Sequence, residues 1–392
     1  MTSCKMVDHC HFRYQFVSKS VFLFRFSSFI LYSMLIIGLY SIFIQANELI
    51  KDPLYKEFLE FAIKYKKPYI FRENSKNGSL TNSNSYTYNN SESVLHFRFT
   101  IFKENVARAN LLNNETKNVL SPVYGVNKFA DISPMEFKAK YLTGLKHRNG
   151  RKTVRPINGI VSFQVKDTRN LAPPRKFDWR EKGVVNPIMD QGSCGACWAF
   201  SVVETIESMY AIQQNTTSPP HLSVQELIDC DSKNMGCVGG DIQEACDWAQ
   251  QHCVVWADSY PLTDKTDTCK RLPPETPCVH LKSCNAAKYV DNESTLLDLI
   301  AEHGPIAVAI DATTWHNYVG GIIQYHCSET LNHAVQIVGY NLEGDVPYYI
   351  IRNSWGSDFG DNGYVYVKYG GNVCGLANLV VSLDTVRTLD KR

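Results

Sequence analysis

The amino-acid sequence predicts an α+β protein: a helical front segment, then a larger domain in which one helix is followed, far downstream, by antiparallel strands. Three observations carry that reading. In the front segment Leu54, Phe58, Phe61 and Tyr65 recur at three- and four-residue spacing, as do Val94, Phe97, Ile101 and Phe102, so residues 47 to about 115 read as helical. After Cys197, the residues Trp198, Val202, Ile206, Met209 and Tyr210 fall on one helical face. Towards the C-terminus, residues 332–340 alternate apolar and polar, residues 346–356 form a second strand, and residues 364–367 read as its hairpin partner.

The segments between these elements are also informative. With 40 basic against 39 acidic side chains in 392 residues, the formal net charge is +1, which gives no electrostatic case for nucleic acid as a partner. A hydrophobic content of 44% excludes a mostly disordered, collagenous or coiled-coil chain. Residues 26–44 carry no charge and follow Lys5, Arg13, Lys19 and Arg25 against only Asp8, the arrangement of a secretory signal. Residues 1–46 are therefore expected to be a signal peptide or, since the run can span a bilayer, a signal anchor. Either way the remainder enters an oxidising lumen, which fits the 13 cysteines and the N-x-[ST] sequons at Asn77, Asn89, Asn114, Asn215 and Asn292. Residues 74–93, rich in Asn, Ser and Tyr, read as a loop, and residues 147–170 as an exposed, protease-sensitive linker ending at Pro173-Pro174.

The chemistry concentrates in Gln191-Gly192-Ser193-Cys194-Gly195-Ala196-Cys197-Trp198, a Gly-rich loop that opens into a helix at Cys197. A thiol in that position feels the positive end of the helix, which favours thiolate. Two readings compete: a nucleophile at Cys197, or a redox C-x-x-C formed by Cys194 and Cys197. The redox reading wants a compact βαβ unit, and the preceding residues 177–190 read as a loop. A nucleophilic thiol needs a base and a group to orient that base. His333 starts the strand 332–340 and Asn353 ends the next, so antiparallel pairing puts the imidazole beside an amide oxygen that fixes its tautomer. A lone histidine is ordinarily a hydrogen-bonded structural residue; the set is what carries meaning.

That set resembles the papain-like cysteine peptidases, over nearly all of residues 177–379. The family signature is C-G-[SA]-C-W with His and Asn about 130–150 residues later; here His333 and Asn353 lie 136 and 156 residues beyond Cys197. The front half resembles the family's inhibitory propeptide, through Arg98, Phe102, Asn105 and Asn113 in one helix pattern and Gly125, Asn127, Phe129 and Asp131 in a second. Val94 and Ala109 depart from that pattern, where Glu and Ile are usual. The resemblance implies a papain-like fold, with a helical left subdomain and an antiparallel β-barrel right subdomain, preceded by the prosegment. It places an inhibitory propeptide at residues 47–171, lying in the cleft backwards, and a peptidase domain at 172–392.

It also implies roles. Cys197 and His333 form a thiolate–imidazolium pair, Asn353 orients His333, the Gln191 amide and the Cys197 N–H bind the oxyanion, and Trp355 shields the His–Asn bond. Peptides or proteins are the substrates, the propeptide is an intramolecular inhibitor, cystatin-type proteins are external ones, and the lysosome, or secretion, is the destination. A non-catalytic relative would normally have lost the nucleophile or the base, whereas Gln191, Cys197, His333 and Asn353 are all present. No small-molecule cofactor or metal is expected. Where the family has a second Trp-Gly, Phe359-Gly360 stands, with one N–H donor fewer.

Removing Cys4 and Cys10 with the signal and reserving Cys197 leaves ten cysteines, an even number suited to five bridges. The resemblance pairs Cys194 with Cys237, Cys230 with Cys269, and Cys327 with Cys374. Cys246 and Cys253 lie too far apart to bridge each other if they share one helix, so they are expected to reach Cys278 and Cys284, in either connectivity. A zinc site from Cys269, Cys278, His280 and Cys284 is the rival reading. For specificity, the resemblance carries substrate backbone pairing to Gly239 and Gly240, and the pocket for the residue two before the cut to Asp241, Ile242, Ala309, Ala334 and Leu379. Asp241 reads first as the N-cap of a helix, with substrate contact as the second reading. Apolar residues are the expected preference in that pocket, with Lys or Arg tolerated through Asp241.

Overall fold

The computed structural model describes residues 51–70, 87–115, 122–142, 173–385 and 390–391. The expected signal segment 1–46 and the expected linker 147–170 lie outside the described residues. The chain divides into two compact units, residues 1–99 and 100–392.

In the first unit, helix α1 (Pro53–Lys64) starts where Asp52 accepts the Leu54 N–H at 3.0 Å and Pro53 takes the position that needs no donor. It buries Phe58, Phe61 and Ala62, and Tyr55 and Phe58 meet the Phe99 ring at 5.1 and 5.3 Å. Helix α2 (Thr87–Glu115) begins inside the stretch expected to be a loop. Its first residues are Thr, Tyr, Asn and Ser, which supply no apolar period, yet once a helix is nucleated each further turn costs little.

The second unit contains helix α3 (Pro134–Tyr141), closed at its start by a reciprocal Ser133–Glu136 capping box, and strand β1 (Lys176–Asp178). Then come helices α4 (Cys197–Gln214), α5 (Val224–Cys230) and α6 (Ile242–Gln251). Strands β2 (Val254–Val255), β3 (Pro277–Val279) and β4 (Leu281–Ala287) lead into the short helix α7 (Ser294–Asp298). The remaining strands are β5 (Ile306–Ile310), β6 (Ile322–Ile323), β7 (His333–Asn341), β8 (Tyr348–Arg352), β9 (Tyr364–Lys368), β10 (Val380–Thr385) and β11 (Asp390–Lys391). The main sheet runs β4-β10-β5-β7-β8-β9-β6, with β1 paired to the far half of β7. Its pairs are antiparallel except β6 with β9. The expected strands at 332–340, 346–356 and 364–367 are therefore β7, β8 and β9.

The sheet divides two apolar clusters, and residue size decides which side faces what. On β5, Ile306, Val308 and Ile310 point to one cluster, while Ala307 and Ala309 point to the other, against α4. On β7, Val335 and Ile337 join the first cluster and Ala334 the second; a register shift between Ile337 and Gly339 then returns Tyr340 to the first. The small side chains let α4 lie close to the sheet, which is why this helix is buried almost all round.

Polar groups cross that seam as well. Arg352 at the end of β8 is fully buried, 3.4 Å from the Glu204 carboxylate on α4. Gln336 of β7 donates to the Glu204 carbonyl at 3.0 Å and to Ser208 Oγ at 3.2 Å. Burial pushes the Glu204 pKa up from 4.5 to about 7, the Arg352 charge pulling it down and the Glu207 charge adding to the rise. The folded chain thus holds a proton on Glu204 that the unfolded chain releases above pH 4.5. The stabilisation is full below that pH and is lost as pH rises through about 7. Glu204→Gln is expected to remove this downward component from the melting temperature between pH 4.5 and 7. Thermal unfolding followed by circular dichroism checks it; parallel profiles for the two proteins would contradict it.

Candidate active site

Cys197 is the first residue of α4 and is held there by two loops locked together. Cys194 is bonded to Cys237 at 2.01 Å, and the Gly195 N–H donates to the Cys237 carbonyl at 2.9 Å. Behind the thiol, Trp198 donates through its indole N–H to the Gly236 carbonyl at 3.1 Å. A Cβ on Gly240 would stand 2.6 Å from the Trp198 ring, so this position accepts only glycine. The Cys197 thiol takes N–H groups from Ala334, Trp198 and its own backbone. The Ala334 contact sets the sulfur at the start of β7, beside His333.

His333 is fully buried, and its Nε2 lies 2.8 Å from Asn353 Oδ1. Facing an amide oxygen, Nε2 carries the proton of the neutral ring and leaves the Nδ1 lone pair free to accept. Nδ1 has no hydrogen-bond partner among the described residues. Trp355 lies over the imidazole with ring centres 4.6 Å apart, and Trp315 meets it edge-on at 5.8 Å. Gln191, also buried, accepts from Ser354 Oγ at 2.6 Å and donates to the Cys194 carbonyl at 2.9 Å.

Burial pushes the Cys197 pKa up to about 11, against the lowering effect of its N–H donors, and pulls His333 down to about 4, against the Asn353 bond. Burial therefore favours the neutral form of each side chain while the site is covered; the ion pair expected from the resemblance belongs to the uncovered, reacting enzyme. The physical reason is dryness: an ion pair out of water must recover two solvation energies.

Residues of the segment expected to be the prosegment cover the Trp355 ring. Phe129, Phe137 and Tyr141 meet the Trp355 ring at 5.5, 5.4 and 5.9 Å, and Phe359 meets it at 4.9 Å from below. Backbone pairing of Tyr124 with Tyr318 adds a strand-like contact, reinforced by Gly125 N–H to the Asn317 carbonyl at 2.8 Å. Asn127 donates to the Tyr318 carbonyl at 2.9 Å, and Asn113 clamps both N–H and C=O of Tyr124. Asn105 donates to the carbonyls of Ala130 and Ile132, each at 2.9 Å. These are the motif asparagines, and each satisfies backbone groups of an irregular segment.

Around the thiol, Ile242, Ala309 and Ala334 belong to the same apolar cluster as Cys197, with Leu379 packed against it. Gly239 has a φ of 135° and begins the approach to α6. The Asp241 carboxylate accepts the N–H groups of Gln243 and Glu244 at 2.7 and 3.3 Å, both on Oδ1, and so caps α6. Five cysteine pairs stand at bonding distance: Cys194–Cys237, Cys230–Cys269, Cys246–Cys284, Cys253–Cys278 and Cys327–Cys374. Helix α6 carries Cys246 and ends before Cys253, and the two cysteines reach β4 and β3 separately. Cys269, Cys278 and Cys284 of the rival zinc set fall in three different pairs, and Cys197 is the free thiol among the described residues.

Comparison with known proteins adds to this geometry. The papain family cysteine protease model matches residues 173–383, and the cathepsin propeptide inhibitor domain matches residues 58–137. The chain belongs to the papain family of cysteine proteases. It is a cysteine-type peptidase made with a propeptide, and so a zymogen. Cathepsin O of Mus musculus is 41% identical over 288 residues, covering 72% of this chain and 88% of that protein. Cathepsin O of Homo sapiens is 38% identical over 286 residues, covering 72% and 86%. Digestive procathepsin L2 proteinase from Tenebrio molitor larval midgut superposes with a TM-score of 0.68 at 29% identity, over 84% of this chain and 99% of that one. Among the described residues, no helix is long and apolar enough to cross a membrane.

Sequence reasoning missed Trp315 and His316, which follow β5 with no motif around them. His316 is buried, its Nε2 3.1 Å from the Phe129 carbonyl and 3.0 Å from that of Ile132, its ring stacked on Phe137 at 4.8 Å. Burial pulls its pKa down from 6.5 to about 4, with Arg108 adding to the fall and the two carbonyls and Asp131 opposing it. The covered histidine binds fewer protons than a released one. This contact's contribution is therefore full above pH 6.5 and lost as pH falls through about 4, worth at most about 3 kcal/mol. His316→Gln keeps an N–H donor without the charge. It is expected to lower the midpoint pH of prosegment release by roughly half a unit or more, followed by gel mobility after timed acid exposure. An unchanged midpoint would contradict the assignment.

Proposed function

We propose that the chain is a cysteine endopeptidase of the secretory pathway, delivered to the lysosome or secreted, in which Cys197 and His333 carry out acyl transfer. The observation that supports this most is the 2.8 Å bond from His333 Nε2 to Asn353 Oδ1, under Trp355 and beside the N-terminus of α4. It leaves Nδ1, which has no hydrogen-bond partner among the described residues, free to accept a proton. The rival redox reading needs Cys194 for Cys197, and Cys194 is bonded to Cys237.

On this reading, loss of the prosegment, residues 47–171, admits water and substrate to the 172–392 domain. His333 then takes the thiol proton, and the helix N-terminus and backbone N–H groups hold the thiolate. The thiolate attacks the scissile carbonyl, and the Cys197 N–H and the Gln191 amide hold the oxyanion. His333 returns its proton to the leaving amine. Water, deprotonated by His333, then cleaves the thioester and frees the acid. Gln191 Nε2 is bonded to the Cys194 carbonyl here, so the amide must also serve the oxyanion when substrate arrives. Gly239 and Gly240 pair with substrate backbone, and Ile242, Ala309, Ala334 and Leu379 favour an apolar side chain two residues before the cut. Asp241 caps α6 through Oδ1, and Oδ2 is the atom through which Lys or Arg would be tolerated there. Cystatin-type proteins are the expected external inhibitors, and the sequons permit sugar-dependent sorting.

Active-site titration tests the proposal. An epoxide inhibitor is expected to label the acid-processed enzyme at one equivalent, on Cys197, and to leave Cys197→Ala unlabelled. Correctly processed protein that takes up no label would overturn the reading.

A further inference from the structure

One prosegment side chain sits in a cage built wholly from the peptidase domain. The Lys128 ammonium lies 3.0 Å from Asp190 Oδ2, 2.8 Å from Asp358 Oδ1 and 2.9 Å from the Trp355 carbonyl. Burial alone would depress its pKa; the bond to Asp358 and the charge of Asp190 outweigh that and raise it. The cage is fixed without the lysine. Asp190 spends its other oxygen on the Gly192 N–H at 2.8 Å, and Asp190 and Trp355 pair as a backbone bridge. Its floor is Gly356, at φ 77°, where a Cβ would stand 2.8 Å from Asp190 Oδ2, 3.0 Å from Asp358 Oδ1 and 3.3 Å from Lys128 Nζ. A side chain there would fill the space the ammonium occupies.

The cage also has a definite place relative to the chemistry. Asp190 precedes Gln191, and Trp355 covers His333. His333 protonates the leaving amine, so the part of the substrate beyond the cut passes over His333 and Trp355. We propose that, once the prosegment is gone, Asp190, Asp358 and the Trp355 carbonyl accept a substrate lysine on the leaving-group side, within the first three residues after the scissile bond. The inference rests on the peptidase reading above and deepens it. Three oxygens around one nitrogen suit the compact ammonium of lysine better than the flat fork of arginine.

Internally quenched peptides test it, with Lys, Arg or uncharged norleucine placed in turn at each of the three leaving-side positions of one otherwise uncharged sequence. The readout is the Lys-to-norleucine ratio of kcat/KM on titrated processed enzyme, which does not depend on how much of a variant folds. The expected ratio is about tenfold at one position, falling in high salt because both carboxylates are half exposed. It should drop to near one in Asp358→Asn and persist in Asp358→Glu. Turnover of all peptides with a ratio near one in the wild type, or a ratio that survives both Asp358→Asn and Asp190→Asn, would overturn the inference alone. Failure to cleave any of the peptides would overturn the peptidase reading with it.

Discussion

The exclusion of water from His333 is the constraint on which the rest of the site depends. Its imidazole is closed in by Trp315 and Trp355, and Trp355 is in turn covered by Phe129, Phe137 and Tyr141 of the prosegment. A charge at this depth has lost its hydration, and the single bond to Asn353 restores only part of it. Burial therefore favours the neutral forms under the prosegment, pushing the thiol up to about 11 and the imidazole down to about 4. Inhibition on this view has two components. One is occupancy of the approach; the other is a dielectric that disfavours the charged nucleophile.

The scaffold holds this geometry by dividing large from small side chains. Ile306, Val308 and Ile310 fill one face of β5, while alanines on the other admit α4, so the helix start and the strand start meet at one seam. The Glu204–Arg352–Gln336 contacts lie in the same seam, one residue from Asn353. Burial keeps Glu204 protonated below about pH 7, so in that range these contacts are a polar cluster across the seam rather than a full ion pair. The disulfide from Cys194 and the packing of Gly240 on Trp198 fix the loop that precedes the thiol.

Much of this was legible in the sequence, for identifiable reasons. Cys197, His333 and Asn353 could be placed because a Gly-rich loop before an apolar helix face and two alternating strands each leave a local pattern. The motif asparagines Asn105, Asn113 and Asn127 were visible as a pattern, although not what each would bind. Asp241 could be read two ways, and the bonds to Gln243 and Glu244 show the capping one. Lys128, Asp190, Asp358 and His316 could not be singled out. Each is an ordinary residue locally, and its significance arises from partners up to 230 positions away. The ion pair of Cys197 and His333 was expected from the family resemblance for the reacting enzyme; how completely the covering residues exclude water from it is not written in any local residue pattern.

The pH dependence of Cys197 alkylation, compared between the intact zymogen and the processed enzyme, tests the central claim most directly. The account predicts that iodoacetamide reacts with the processed enzyme from acid pH upwards, while the zymogen thiol stays unreactive until the pH approaches about 11 or the prosegment is displaced. The same acid-side profile in both forms would contradict it, because it would show that the charged pair already exists beneath the prosegment.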